Sequence, residues 1–156
     1  VRDWLDRVTR ALQESGMEAK YLDLELTESL IMQDVKRSIL KMNELKTMGV
    51  QLSIDDFGTG YSSLSSLKTF PIARLKLDQS FVQDITHNDN DKAIAMSVIS
   101  LGHKLNLKVL AEGVETPEQL AFLKENDCDE VQGYYFYKPL TAEEIEEILK
   151  TSNDIL

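Results

Sequence analysis

We predict an α/β fold of about five parallel β/α units. Segments in which apolar and polar residues alternate, as in strands, are separated by longer segments with apolar residues at helical spacing. Strands that alternate with helices pair in parallel, because each helix carries the chain back to the start of the next strand. The predicted strands also carry charged residues on one face, whereas parallel strands covered by helices are usually apolar throughout. The polar faces therefore predict a shared interior of the kind that a barrel encloses.

The predicted elements follow one another along the whole chain. The alternation predicts strands over 21–28, 50–55, 73–78, 109–112 and 131–134. Helical spacing predicts helices over 2–15 and 35–49, from about residue 61, and from the end of a polar loop at 86–91 to residue 105. Two further helix starts carry capping signals, namely Thr116 with Pro117 and Gln119, and Thr141 with Glu144.

The composition limits the classes of function. The 156 residues include 17 Lys or Arg and 27 Asp or Glu, for a net charge of −10. This balance argues against binding DNA or RNA, which needs clustered positive charge. Cys128 is the single cysteine, which rules out an internal disulfide and suits a reducing compartment. No apolar run has membrane-spanning length and no signal peptide is visible, so we expect a cytoplasmic location, with any membrane anchor in segments outside this sequence.

The candidate site consists of the polar interior residues nearest the C-terminal strand ends. They are Glu25, Asp55, Lys76, Glu112 and Gln132. Barrel enzymes build their active sites at this end of the sheet. Burying several carboxylates is costly unless metal ions or hydrogen bonds compensate. Oxygen ligands without convergent His or Cys favour Mg²⁺ or Mn²⁺ over zinc, and two such ions near Asp55 would activate water for displacement at phosphorus.

The central strand runs into two adjacent carboxylates, Asp55 and Asp56, and a loop punctuated by glycines, Gly58-Thr59-Gly60. Adjacent carboxylates stay ionised only near a cation or a basic group, so both are candidate metal ligands, with Asp56 expected on the loop. The glycines permit backbone conformations that other residues resist. The Asp-Phe-Gly triplet also occurs in protein kinases, but no kinase glycine-rich loop or catalytic-loop motif accompanies it.

Several candidates have two interpretations. Lys76 either neutralises its neighbours or holds a water while countering phosphate charge. Glu28, just past the first strand, either orients a loop or caps the next helix. Glu112 and Glu115 flank a glycine at a strand exit, and the inward-facing residue is the better candidate. Gln132 either completes a polar site or only satisfies backbone groups.

Five motifs occur in a fixed order along the chain. They are Glu25-Leu-Thr-Glu28-Ser29, Asp55-Asp56-Phe57-Gly58-Thr59-Gly60-Tyr61-Ser62-Ser63-Leu64, Lys76-Leu77-Asp78, Ala111-Glu112-Gly113-Val114-Glu115-Thr116 and Gln132-Gly133-Tyr134. Together they resemble the EAL domain of bacterial cyclic di-GMP phosphodiesterases, over essentially the whole chain. The resemblance implies a modified TIM barrel that hydrolyses cyclic di-GMP to linear pGpG with Mg²⁺ or Mn²⁺ at a two-ion site.

The resemblance also implies a role for each catalytic residue. It makes Glu25 a metal ligand, Asp55 the ligand that bridges both ions, and Asp56 the residue that completes the second metal site. Lys76 is implied to position the attacking water. Glu112 is implied to act as a ligand or as the base that activates this water.

The remaining matched residues have supporting roles by the same resemblance. Glu28 is implied to hold the loop after Asp56, with Gly58, Thr59 and Gly60, in its competent shape. Glu115 is implied to support the acidic cluster, and Gln132 to complete the polar site.

The sequence departs from the family pattern at its N-terminal side. It lacks the Glu-Ala-Leu signature with its metal-binding Glu, and the metal-binding Asn expected before the first strand. A complete TIM barrel has about 250 residues. We therefore expect residues 1–156 to be the C-terminal part of a single EAL-type domain, an α/β partial (β/α)8 TIM-type barrel that is inactive alone.

Two alternatives to a phosphodiesterase are a noncatalytic cyclic di-GMP receptor or signalling scaffold, and an unrelated Mg²⁺-dependent barrel enzyme. The retained carboxylates and Lys76 favour an enzyme ancestry. We expect the fragment to form homo-oligomers through the open barrel side next to residues 21–28, because cut sheet edges and apolar helix faces are left uncovered. The full-length protein is expected to carry sensory or GGDEF domains.

Overall fold

The computed structural model describes residues 3–57 and 67–151, apart from the side chains of Asp3, Trp4 and Glu28. The strands of this part are β1 (Asp23–Thr27), β2 (Gln51–Phe57), β3 (Arg74–Leu77), β4 (Lys108–Ala111) and β5 (Glu130–Val131). The α-helices are α1 (Asp3–Ser15), α2 (Glu28–Gln33), α3 (Val35–Thr47), α4 (Gln79–Gln83), α5 (Asp89–Lys104), α6 (Pro117–Glu125) and α7 (Ala142–Thr151). The helix predicted from about residue 61 lies outside the described residues.

The five strands form one parallel sheet in sequence order, β1-β2-β3-β4-β5, which confirms the predicted β/α units. When parallel strands follow in sequence order, crossovers of a single hand place the helices on the same face. Accordingly, α3 packs on β2, and α5 packs on both β3 and β4. The opposite face of the sheet is lined by strand side chains, as on the inner wall of a barrel.

The apolar core lies between the sheet and the helices. Alternate strand positions supply Leu52, Ile54, Leu75, Leu77 and Val109, each no more than 1% exposed. Because successive side chains of a strand point to opposite faces, burying these residues sends their polar neighbours to the inner wall. No helix in the two described ranges has both the length and the apolar character needed to cross a membrane.

Both predicted helix caps are confirmed. The Thr116 hydroxyl accepts the Gln119 N–H at 3.2 Å, while Gln119 Oε1 accepts the Thr116 N–H at 3.0 Å. Thr141 and Glu144 make the same reciprocal pair, at 3.3 and 2.7 Å. These pairs satisfy N–H groups that have no partner inside a helix and so fix where α6 and α7 begin.

The ends of two strands differ from the prediction. The first strand stops at Thr27, and Glu28 already opens α2. The last strand covers only Glu130–Val131, not 131–134. The chain turns after it because the Phe136 and Tyr137 N–H groups donate to the Gly133 carbonyl at 3.1 and 3.3 Å.

Two helix starts also differ. Helix α5 begins at Asp89, inside the predicted polar loop, because the Asn88 side chain accepts the Asn90 N–H at 2.9 Å and caps it. The short helix α4 was not predicted. Asp78 caps it by accepting the Ser80 N–H at 2.9 Å.

Candidate active site

Four of the predicted site residues meet at the C-terminal end of the sheet, with Lys76 at their centre. The Lys76 ammonium lies 2.7 Å from Glu25, 3.1 Å from Asp55 and 2.7 Å from Glu112, measured to one carboxylate oxygen of each. The Lys76 side chain is 5% exposed, whereas that of Glu25 is 50% exposed. Gln132 donates from Nε2 to Glu112 Oε1 at 2.8 Å. We call Glu25, Asp55, Lys76, Glu112 and Gln132 the Lys76 cluster.

Charge and burial compete within the Lys76 cluster. Burial alone would lower the pKa of Lys76, but the carboxylates of Glu112, Glu25 and Asp55 outweigh it and raise that pKa above its ordinary value. Burial raises the pKa of Glu112, and the charges of Asp55 and Glu25 add to this rise against the opposing pull of Lys76. The cluster therefore contains a firmly charged ammonium and a carboxylate that holds a proton more readily than an exposed Glu does.

Asp56 lies beside the Lys76 cluster, within β2 and not on the loop as predicted. The register between β2 and β3 shifts between Ile54 and Phe57, and Asp56 has a φ of 54°. This left-handed conformation is uncommon for residues other than glycine. It accommodates the extra residue of the bulge while Phe57, the next residue, is buried.

The pKa of the Asp56 carboxyl is raised, first by burial and then by the nearby charges of Asp55 and Asp78. The pKa of Asp78 is lowered despite its partial burial, because its carboxylate accepts the hydroxyl and the N–H of Ser80. Asp56 and Asp78 thus form an acidic pair whose two carboxyls differ in proton affinity.

A cleft of about 840 Å³ opens beside these residues. Its polar wall includes Asp56, Asp78, Glu112 and Gln132, and its apolar wall comes from the segment 134–149. Glu115 lies on the rim of the cleft with an exposed side chain, outside the Lys76 cluster. The cleft is therefore large enough to hold a nucleotide-sized molecule between the carboxylates and the apolar wall.

Two glycines that line the cleft allow the segments after the strands to approach one another closely. Gly113 has a φ of 72°, and a Cβ there would lie 2.7 Å from the Cβ of Gln79. Gly133 has a φ of 156°, and a Cβ there would lie 2.2 Å from the Val114 carbonyl oxygen. Residues with side chains would force these segments apart, and Gln132 would then move away from Glu112.

A second polar layer lies on the same inner wall, one level nearer the N-terminal strand ends. Arg74 contacts Asp23 through its Nη1 atom, and its Nε atom lies 2.7 Å from Glu130. This second contact is an ion pair without directed hydrogen-bond geometry. The Ser53 hydroxyl lies 2.7 and 2.9 Å from the two oxygens of Asp23, and Lys108 lies 3.0 Å from Glu130. We call Asp23, Ser53, Arg74, Lys108 and Glu130 the Arg74 layer.

The Arg74 layer was not predicted from the sequence. Asp23, Ser53 and Arg74 each stand two residues before a member of the Lys76 cluster on the same strand. The period of two that identified the cluster therefore also contained the signal for this layer.

The remaining predicted site residues lie wholly or partly outside the described part of the structure. Glu28 is the first residue of α2, but its side chain lies outside the described residues, as do Gly58, Thr59 and Gly60. The coupling predicted between Glu28 and this loop stays a prediction.

The donor set of the site suits a hard divalent cation, because its groups are carboxylate oxygens. Asp55 Oδ1 is buried and receives no directed hydrogen bond from the described residues, although the Lys76 ammonium is nearby. Among those residues, no three Asp, Glu, His or Cys side chains are spaced to hold an ion as they stand. The Lys76 ammonium takes the point on which the carboxylates converge, so a cation would share these oxygens with it.

Comparison with known proteins agrees with this arrangement. The family model described as "EAL domain" matches residues 2–139. The cyclic di-GMP phosphodiesterase NbdA of Pseudomonas aeruginosa is 49% identical over 146 residues, which cover 94% of this chain and 19% of NbdA. MucR of the same organism, a bifunctional diguanylate cyclase/cyclic di-GMP phosphodiesterase, is 44% identical over 141 residues, which cover 90% of this chain and 21% of MucR.

Solved structures extend the comparison to the fold. A complex of the MucR phosphodiesterase with c-di-GMP matches with a TM-score of 0.87 and 44% identity, over 90% of this chain and 57% of that one. A manganese and cyclic di-GMP complex of Klebsiella pneumoniae BlrP1 matches with a TM-score of 0.78 and 32% identity, over 85% of this chain and 34% of that one. The chain thus spans about a fifth of the curated relatives and little more than half of the MucR structure.

These matches confirm the predicted α/β fold as a partial TIM-type barrel. The matched range also contains every residue of the Lys76 cluster. The chain therefore belongs to the EAL domain family.

Proposed function

We propose that the chain supplies most of the catalytic residues of a phosphodiesterase that hydrolyses cyclic di-GMP to linear pGpG. The observation that carries this proposal is the Lys76 cluster, in which three carboxylates meet one buried ammonium beside a cleft of nucleotide size. NbdA and MucR, both cyclic di-GMP phosphodiesterases, support the same activity. We further propose that residues 1–156 are the C-terminal part of a single EAL domain.

Two divalent cations are the proposed cofactors. Glu25, Asp55, Asp56 and Glu112 would hold these ions, and the family resemblance implies that Asp55 would be the ligand shared by both. The oxygen-only donor set and the manganese in the BlrP1 complex support Mg²⁺ or Mn²⁺. When bound, such ions neutralise phosphate charge and lower the pKa of a coordinated water.

The residues of the chain would then divide the work of the reaction. Lys76, held by its carboxylate neighbours, donates hydrogen bonds to the attacking water and opposes negative charge that develops on the phosphate. Glu112 would accept the proton that this water loses. The water oxygen would form a bond to phosphorus, one P–O ester bond would break, and the released sugar oxygen would take up a proton from the surrounding water. The Gln132 side chain holds Glu112 in place.

Supporting roles are proposed for the other matched residues. Glu115 stands at the cleft rim, where it would contribute to the acidic field around the ions. Glu28 and the segment Gly58-Thr59-Gly60 are proposed to shape the edge of the site and to contact the substrate.

The test joins residues 1–156 to the part of the MucR phosphodiesterase structure that this chain does not cover. We expect this chimera to release pGpG from cyclic di-GMP with Mn²⁺ or Mg²⁺. The variants Asp55→Asn and Lys76→Met should abolish the reaction. Lys92→Met, at an exposed pair on α5, is the matched control and should keep it.

Residues 1–156 alone should release little pGpG, because they lack the Glu of the Glu-Ala-Leu segment and the Asn that the family resemblance implies as metal ligands. A noncatalytic receptor is the competing function. A chimera that binds cyclic di-GMP in the presence of Mn²⁺ but releases no pGpG would support the receptor and contradict the enzyme.

We propose three further properties of the protein around this site. Residues 1–156 would associate with themselves through β1, which pairs on one side with β2 and forms an edge of the described sheet. An apolar groove of about 420 Å³ between β1, α2 and α3 supports this self-association, and light scattering that shows a monomer at high concentration would contradict it.

The other two properties concern the full-length protein. The bifunctional MucR supports fusion to a GGDEF domain, and the single Cys128 supports a cytoplasmic location.

A further inference from the structure

We infer that Arg74 is a positioning residue: by bridging Asp23 and Glu130, it holds the sheet in the curvature that brings the carboxylates of the Lys76 cluster together. The inference rests on the proposed function only where metal binding is measured.

Arg74 lies on β3, the middle strand, and its two partners lie on the two edge strands of the described sheet. Asp23 is the first residue of β1 and Glu130 is the first residue of β5. A flat five-stranded sheet would separate its first and last strands by four spacings of nearly 5 Å each, or about 19 Å. One guanidinium contacts both strands here, so the sheet is strongly curved at this level.

The Arg74 layer stands directly beneath the Lys76 cluster. Asp23 precedes Glu25 by two residues, and Arg74 precedes Lys76 by two residues. Each pair shares a face of its strand, at a separation of about 7 Å along the strand. A change of curvature at the level of Arg74 must therefore change the distances between strands at the level of Lys76.

The charges of the Lys76 cluster alone should maintain this curvature less well than those of the Arg74 layer. Three carboxylates against one ammonium leave an excess of two negative charges when all are ionised. Glu25 is half exposed, so its side chain can turn into water and relieve the repulsion at little cost. The Arg74 layer has two cations and two carboxylates and therefore attracts the strands to one another.

The test compares Arg74→Met with Arg74→Lys in residues 1–156, using the reactivity of individual lysines toward a water-soluble acylating ester, read by mass spectrometry. In the unchanged chain, buried Lys76 should react far more slowly than Lys92 on α5. Arg74→Met should raise the reactivity of Lys76 several-fold and leave that of Lys92 unchanged. Arg74→Lys keeps the charge but reaches one partner, so it should give an intermediate value.

Two controls separate positioning from a general loss of stability. Lys108→Met removes the other cation that contacts Glu130 and should leave the reactivity of Lys76 unchanged, because Lys108 is 64% exposed and does not reach β1. Val98→Ala, on the buried face of α5, should lower the Tm without changing the reactivity of Lys76 selectively. If Arg74→Met does not fold, Glu130→Gln and Asp23→Asn are tested in its place. Each of these variants removes one of the two contacts of the Arg74 bridge.

Unchanged Lys76 reactivity in the folded Arg74 or arm variants, or an equal increase in Val98→Ala at a similar Tm, would overturn the inference. Mn²⁺ titration of the chimera gives the second readout, and Arg74→Met should weaken Mn²⁺ binding several-fold more than Lys108→Met. Failure of the unchanged chimera to bind Mn²⁺ would count against the proposed cofactors, while the metal-free lysine measurement would still decide the role of Arg74.

Discussion

The Arg74 layer and the Lys76 cluster occupy the same face of the same sheet, one level apart, but their charges are arranged differently. In the Arg74 layer two cations face two carboxylates, and each carboxylate has a basic partner. In the Lys76 cluster three carboxylates share one ammonium. Burying charge is costly unless it is balanced. The balanced layer is therefore understandable as structure, whereas the unbalanced cluster agrees with the proposed site for a further cation.

Two glutamates on neighbouring strands show the same difference in their proton affinity. Partial burial acts to raise the pKa of both. In Glu130 the contacts with Arg74 and Lys108 outweigh burial, and the pKa is lowered. In Glu112 the single Lys76 contact does not outweigh burial and the charges of Asp55 and Glu25, and the pKa is raised. The fold stabilises ionised Glu130 and disfavours ionised Glu112.

The largest effect should come from Lys76→Met. Removing the ammonium leaves Glu25, Asp55 and Glu112 facing one another without a cation. We expect a loss of about 2–4 kcal/mol in the free energy of unfolding of the metal-free protein, somewhat less than for a fully buried pair because Glu25 can turn into water. Urea unfolding of the chimera at neutral pH measures this loss.

The metal response of Lys76→Met tests the comparison between the two regions. A cation can take the place of the ammonium, so Mn²⁺ should raise the Tm of Lys76→Met more than it raises the Tm of the unchanged protein. In Arg74→Met no cation can take the place of the guanidinium, so its Tm should stay below that of the unchanged protein when Mn²⁺ is added. Equal responses of both variants to Mn²⁺ would show that the cluster has no special affinity for cations.

Replacing either glutamate by Gln should have an intermediate effect on the free energy of unfolding of the metal-free protein. The two variants should change it in opposite directions. Glu130→Gln should lose about 1–2 kcal/mol at neutral pH, since it breaks partly buried pairs with Arg74 and Lys108. Glu112→Gln should instead gain roughly 0.5 kcal/mol, because a neutral side chain avoids the repulsion from Asp55 and Glu25.

The pH dependence of these variants follows from the direction of each shift. The contribution of Glu130 is present above its ordinary pKa of 4.5 and is lost as the pH falls through its lowered folded value. The contribution of Glu112 is present below 4.5 and is lost as the pH rises through its raised folded value. As the pH falls from neutral to acidic, the free energy of unfolding of both variants should therefore approach that of the unchanged protein. Glu130→Gln should approach it from below and Glu112→Gln from above. Two curves that stay parallel would contradict the assignment.

The sequence predicted the Lys76 cluster better than it predicted its surroundings. Strict alternation along the strands assigns each side chain to one face, and parallel strands bring their C-terminal ends to one edge. These two rules are sufficient to predict that Glu25, Asp55, Lys76 and Glu112 lie close together. The family resemblance added the roles of these residues, which alternation does not contain.

The features that sequence reasoning missed depend on register and on short-range geometry. Asp56 was expected on a loop, but a bulge and a φ of 54° keep it within β2. The helix α4 has five residues, too few to show a helical period. Arg74 was visible as an inward residue, but its contact with Glu130 across β4 depends on sheet curvature, which a single sequence does not specify.

The smallest effect on the Lys76 cluster should come from Ser53→Ala, at the centre of the Arg74 layer. Ser53 is fully buried, and its hydroxyl hydrogen-bonds the Asp23 carboxylate that Arg74 also contacts. Its removal should cost about 1 kcal/mol in the free energy of unfolding, the usual value for one hydrogen bond. Because Arg74 still bridges Asp23 and Glu130, Lys76 reactivity and Mn²⁺ affinity should not change. Urea unfolding beside a Mn²⁺ titration of the chimera measures both quantities. A loss of Mn²⁺ affinity in this variant would contradict this prediction. It would mean that the Lys76 cluster also depends on the neutral hydrogen bonds of the Arg74 layer, and not mainly on the charges of the Arg74 bridge.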